Sequence, residues 1–124
     1  MARTRATTSS LIAARRHPAG HLEGRAVRGS GRRGDVLASF LQSDVQGDLE
    51  AARALLSEIA AVERGAPPQP AAIGNAYSVT VSPEGVALRN VVIDDSPHQQ
   101  YAFDEMRRAL GTWIAAIDRA RRDP

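Results

Sequence analysis

Three histidines, His17, His21 and His98, are the only imidazoles available for acid–base or metal chemistry. His17 and His21 have the i,i+4 spacing that pairs metal ligands on a helix, but Pro18 and Gly20 lie between them and argue against a helix there. His98 follows Pro97 in a turn. There is no cysteine, which removes thiolate nucleophiles, thiolate metal sites and disulfides together. No serine sits in a G-x-S-x-G elbow. The run Gly29-Ser30-Gly31-Arg32-Arg33-Gly34 is glycine-rich but lacks the lysine of a phosphate-binding loop, and no strand is expected before it. Asp94 and Asp95, with Asp104 and Glu105 further on, read as solvated acids of a Pro-containing turn and a helix start. Trp113 and the Phe and Tyr residues fall on core-facing positions, so no base-stacking platform is expected. The residue inventory therefore predicts no enzyme and no cofactor, and points to surface and charge as the means of function.

Charge is unevenly placed. Every one of the sixteen basic residues is Arg. Residues 1–34 carry eight of them against Glu23 alone, a net +7, and residues 35–124 carry eight against thirteen acids, a net −5. The first segment is rich in Gly, Ser and Thr, has no sustained apolar period, and reads as a disordered tail. It lacks the apolar core of a secretory signal. Its composition fits a mitochondrial-type presequence or a phosphate-binding arm, but the preferred reading is upstream sequence included by a wrongly chosen start, with the true start near Val36. A chain beginning at residue 35 is then expected to keep full stability and activity. No apolar run approaches the roughly 18 residues of a membrane span.

Folding signals begin at Asp35. Val36, Leu37, Phe40 and Leu41 form a helical stripe that Asp35 could cap. Asp48 is the candidate cap of a second helix, with Leu49, Ala52, Leu56, Ile59 and Val62 on one face and Leu55 beside it. Gly65 and the prolines after it end that helix. Tyr77, Val79 and Val81 alternate with Ser78 and Thr80. Ser82, Pro83, Glu84 and Gly85 then make a turn, and an extended run follows to Ile93. Residues 98–102 could add a third strand. Asp104 is the expected cap of a final helix, where Phe103, Met106, Leu110, Trp113 and Ile117 step by three and four. The predicted fold is α+β over residues 35–122: two N-terminal helices, an antiparallel β-hairpin or three-stranded sheet, and a C-terminal amphipathic helix packed on the sheet.

Several pieces, in this order, resemble the YacL-like small bacterial proteins, some of which are immunity proteins of contact-dependent growth inhibition. They are Phe40-Leu41-Gln42-Ser43-Asp44-Val45-Gln46-Gly47-Asp48, Ile59-Ala60-Ala61-Val62-Glu63-Arg64-Gly65, Gly74-Asn75-Ala76-Tyr77-Ser78-Val79, and Phe103-Asp104-Glu105 with Ala109, Leu110 and Trp113. The resemblance spans about residues 36–118. It implies a cytoplasmic, non-enzymatic protein that neutralises a cognate toxin domain, often a nuclease, by occlusion. The −5 body is compatible with a basic nuclease partner. Charge and loop placement, not the resemblance, nominate Asp44, Asp48, Glu84, Asp94 and Asp95 as the contact acids. The alternatives are another protein-binding role in the cytoplasm, or nucleic-acid binding through the Arg-rich arm.

Overall fold

The computed structural model describes residues 7–8, 11–70, 76–92 and 98–122. Among them are two antiparallel sheets and three α-helices, an α+β arrangement. The chain opens with β1 (Thr7–Thr8), β2 (Ile12–Arg16) and β3 (Leu22–Ala26), which form one sheet in that order. Helix α1 (Gly31–Phe40) runs on without a break into a π-helical turn, Leu41–Val45, and α2 (Leu49–Glu63) follows. The second sheet has the order β4 (Gln69–Pro70), β5 (Tyr77–Ser82), β6 (Gly85–Asn90) and β7 (Gln99–Tyr101), and α3 (Phe103–Arg122) ends the fold.

This corrects the predicted fold. The helices are not N-terminal but follow a β-sheet, and the second sheet has four strands where a hairpin or three strands were expected. Nor do residues 11–34 form a disordered tail: Leu11, Ile12 and Ala14 are buried in the same core as α1 and α3. The reason the signal was missed is physical. This hairpin packs by small residues at close range and not by a long apolar stripe. A Cβ added at Gly24 of β3 would come 3.0 Å from the Ala38 carbonyl oxygen and 3.2 Å from the Trp113 ring. Composition read as too polar to fold is here a condition of close approach.

The second sheet follows its alternation. Tyr77, Val79, Val81, Val86, Leu88 and Tyr101 are buried, while Ser78, Thr80 and Arg89 are exposed. Val79 pairs with Leu88, and Val86 pairs with both Val81 and Tyr101, so one apolar face is continuous across three strands. Pro83 and Glu84 make the two-residue loop between β5 and β6. Gly85 takes a φ of +128°, and a Cβ there would overlap the Tyr101 carbonyl oxygen. Only glycine satisfies both conditions.

The helix starts differ in part from expectation. Asp48 caps α2, its carboxylate accepting the Ala51 N–H at 3.1 Å. Asp35, however, lies inside α1, which begins four residues earlier at Gly31. Asp104 does not cap α3. The Ala102 carbonyl accepts the Met106 N–H, and Glu105 reaches back to the Ala102 N–H at 2.9 Å, the return half of a capping box. On α3, Met106, Ala109, Leu110, Trp113, Ala116 and Ile117 face the core. Helix α1 also closes a free edge of each sheet. The Gln42 side-chain oxygen, two residues past its end, accepts the Gly24 N–H of β3 at 2.9 Å, and Arg33 donates to the Gln100 carbonyl of β7 at 2.8 Å.

Candidate partner-binding surfaces

Of the five acids nominated from sequence, the three that are described, Asp44, Asp48 and Glu84, do not form one face. Asp44 sits in the π-helical turn with its carboxylate against the start of β5. It accepts the Tyr77 N–H at 2.9 Å and the Ala76 N–H at 3.2 Å, and it also takes the Ser43 hydroxyl at 2.8 Å. It therefore anchors the sheet to the helical layer. Asp48 is exposed, and one of its oxygens is engaged as the α2 cap. Glu84 is exposed in the β5–β6 loop, where its carboxylate accepts the Ser82 hydroxyl at 2.9 Å. Asp44 holds the first residue of β5, and Glu84 lies beyond the last. At about 3.3 Å per residue, the strand separates them by about 17 Å. Asp94 and Asp95 lie outside the described residues.

The strongest polar constellation was not singled out from sequence. The Arg33 guanidinium makes two hydrogen bonds to the Glu105 carboxylate, at 3.1 and 2.5 Å. Two more go to the Gln100 carbonyl. The guanidinium also lies 5.0 Å from the centre of the Tyr101 ring, whose hydroxyl donates to the Arg33 carbonyl at 2.6 Å. The hydrogen bond from Arg33 holds the Glu105 carboxyl below its ordinary value. Glu105 in turn raises the Arg33 guanidinium, and burial pushes the Tyr101 phenol up. This geometry is that of a rigid tie between α1, β7 and α3. The one sequence signal for it is Glu105 placed three residues after Ala102; nothing local marks Arg33 as its partner.

A second tie runs through Gln46. Its carbonyl accepts the indole N–H of buried Trp113 at 2.6 Å, and its backbone has φ +53° and ψ −135°, a conformation that side-chain-bearing residues rarely adopt. The sequence placed Trp113 in the core but gave no sign of what would satisfy its N–H.

On the β2–β3 hairpin, Arg15, Arg16 and Arg25 are exposed, as are Arg28 and Arg32 beyond it. Glu23 bridges Arg15 at 3.0 Å and Arg25 at 3.4 Å. The hydrogen bond from Arg15 is the main cause that holds Glu23 below its ordinary value. At the hairpin tip, His17 and His21 stack with ring centres 4.4 Å apart. A β-turn achieves the pairing that a helix could not. The Nδ1 of His17 accepts the Ala19 N–H, and no group of three or more His, Cys, Asp or Glu residues converges on a cation position among the described residues.

The end of the second sheet where β5 begins and β6 ends carries the exposed large hydrophobics of the described residues. Val91 is 51% exposed and Val92 71%. The Val91 N–H donates to the Ala76 carbonyl at 2.8 Å, so these valines stand one peptide away from the contact that Asp44 makes. No helix among the described residues is long and apolar enough to cross a membrane. Comparison of the chain with family models, with curated proteins and with solved structures returned no match in any of the three.

Proposed function

We propose that this chain is a non-enzymatic binding module that occludes a basic protein, and that the end of the second sheet bearing Val91 and Val92 is its contact face. The observation that carries this reading is the pair of exposed valines: the Val91 N–H donates to the carbonyl of Ala76, whose own N–H donates to Asp44, and the Val92 N–H donates to the Asn90 side chain. An apolar anchor inside a polar rim is the usual anatomy of a protein interface. A contact-carrying loop set on a rigid scaffold also needs little reorganisation on binding. The partner's basic character follows from the resemblance and not from net charge, because residues 11–34 fold into the same body and the whole chain carries +2. The resemblance to the YacL-like proteins gives that partner a class: a toxin domain of a contact-dependent inhibition system, such as a nuclease, met in the cytoplasm. Asp44 contributes by anchoring the face.

The test is co-expression with a toxin domain encoded beside this chain's gene. The intact chain should protect cells, and Val91→Arg with Val92→Arg should abolish protection without lowering the thermal midpoint. Glu84→Lys, at the far end of the sheet, should leave protection in place. Protection that survives the double valine change would remove this face from consideration. A failure of the intact chain to protect would reject the toxin partner.

A further inference from the structure

Residues 11–34 take no part in the function proposed above, yet they are folded and present their charge outward. Residues 11–34 hold six arginines against Glu23, a net +5. Arg33 is consumed by Glu105 and the Gln100 carbonyl. The other five, Arg15, Arg16, Arg25, Arg28 and Arg32, are exposed. Strand register places Ala13 opposite Arg25 and Arg15 opposite Glu23, so Arg15 and Arg25 share the face turned away from the buried Ile12 and Ala14.

Two further exposed arginines, Arg28 and Arg32, which follow the hairpin in the chain, have no explanation in stability. Arg32 stands in the first turn of α1, where the helix dipole favours acids and disfavours cations, and that turn contains no acid. Arg33 in the same turn is compensated by Glu105, but Arg32 has no ion-pair or hydrogen-bond partner among the described residues. Arg28 has none either. A residue that breaks a local rule with no compensation inside the fold is the expected mark of an external ligand. The single acid of the hairpin, Glu23, lies between Arg15 and Arg25 and orients both guanidinium groups while neutralising only one of them.

We propose that this hairpin face, with Arg28 and Arg32, binds the phosphodiester backbone of duplex nucleic acid without regard to sequence. Guanidinium groups suit phosphate by charge and by their forked donors. The duplex is favoured over a single strand because Trp113, Tyr101 and Phe40 are fully buried, Tyr77 nearly so, Phe103 packs against the core, and the His17 and His21 rings at the hairpin tip stack on each other. Backbone contact by Arg15, Arg25, Arg28 and Arg32 carries no base readout.

The test is fluorescence anisotropy of the full chain with a labelled DNA duplex of about 20 base pairs, titrated between about 50 and 200 mM salt. Three to four phosphate contacts give a slope of log K against log salt of about −2.7 to −3.6, so affinity falls about 40- to 150-fold across that range. Arg28→Gln with Arg32→Gln should shallow the slope by about 2, with an unchanged thermal midpoint. Glu23→Gln should tighten binding, because Arg15 and Arg25 then meet phosphate without a competing carboxylate; that gain cannot arise from misfolding. A duplex RNA should compete, and a scrambled DNA sequence should bind equally. Absence of binding at about 50 mM salt, a slope unmoved by the double change, or weaker binding after Glu23→Gln each overturns the proposal. So does binding to vesicles of anionic phospholipid with none to the duplex.

Discussion

A chain that begins at residue 35 loses β2, β3 and the first turn of α1, and the consequence follows from what those residues bury. Leu11 and Ile12 are 7% and 0% exposed, and burying such side chains stabilises by about 1.5–3 kcal/mol each. Loss of Arg33 also removes the carbonyl that satisfies the Tyr101 hydroxyl, in a residue with no exposed surface. An unsatisfied buried polar group costs about 1–3 kcal/mol. Together these come to about 4–9 kcal/mol, before the exposure of the Trp113 ring beside Gly24 is counted. A domain has about 5–15 kcal/mol in all. The shortened chain should therefore lack a cooperative thermal or urea transition, with loss of the near-ultraviolet signal of Trp113. Ile12→Ala in the full chain should cost about 2–5 kcal/mol, a graded version of the same effect. A shortened chain that melts cooperatively at the midpoint of the intact one would refute this account of the hairpin as core.

Two further outcomes test the polar ties. Asp44→Ala should destabilise by about 2–4 kcal/mol in urea titration, since the Ala76 and Tyr77 N–H groups lose a charged acceptor, and Asp44→Asn should recover part of it. Equal stability of Asp44→Ala and the parent would contradict the anchoring role. For Glu105, the folded carboxyl titrates below its ordinary value of 4.5, so its contribution is full above that pH and is lost as pH falls through the lower folded value. The stability gap between the parent and Glu105→Gln should thus be constant near neutrality and close progressively below pH 4.5. A gap that persists unchanged in strong acid would mean that the tie to Arg33 contributes nothing through charge.

Some of this protein was written locally. Tyr77, Val79 and Val81 alternating with Ser78 and Thr80 specify β5, because a pleated strand turns every second side chain to one face. Met106, Leu110, Trp113 and Ile117 specify the buried face of α3, and Asp48 specifies the start of α2, by rules that act within a few residues. The candidate acids were chosen by the same local logic, and there it failed for Asp44: an acid in a loop reads as solvated until the strand that it anchors is brought beside it. That strand begins 33 residues further on.

What tertiary structure alone decided is where Arg-rich, Gly-rich sequence becomes core. Ala14 and Gly24 have almost no side chain to advertise burial, and their value appears only when β3 meets α1 and the Trp113 ring at van der Waals distance. The same holds for Arg33, which looks like one of eight equivalent cations in residues 1–34 until Glu105, 72 residues later, takes it out of solvent competition. Periodicity is a property of one segment and can be read from it. Close approach and charge pairing are properties of two segments, and the sequence states neither until the chain has folded.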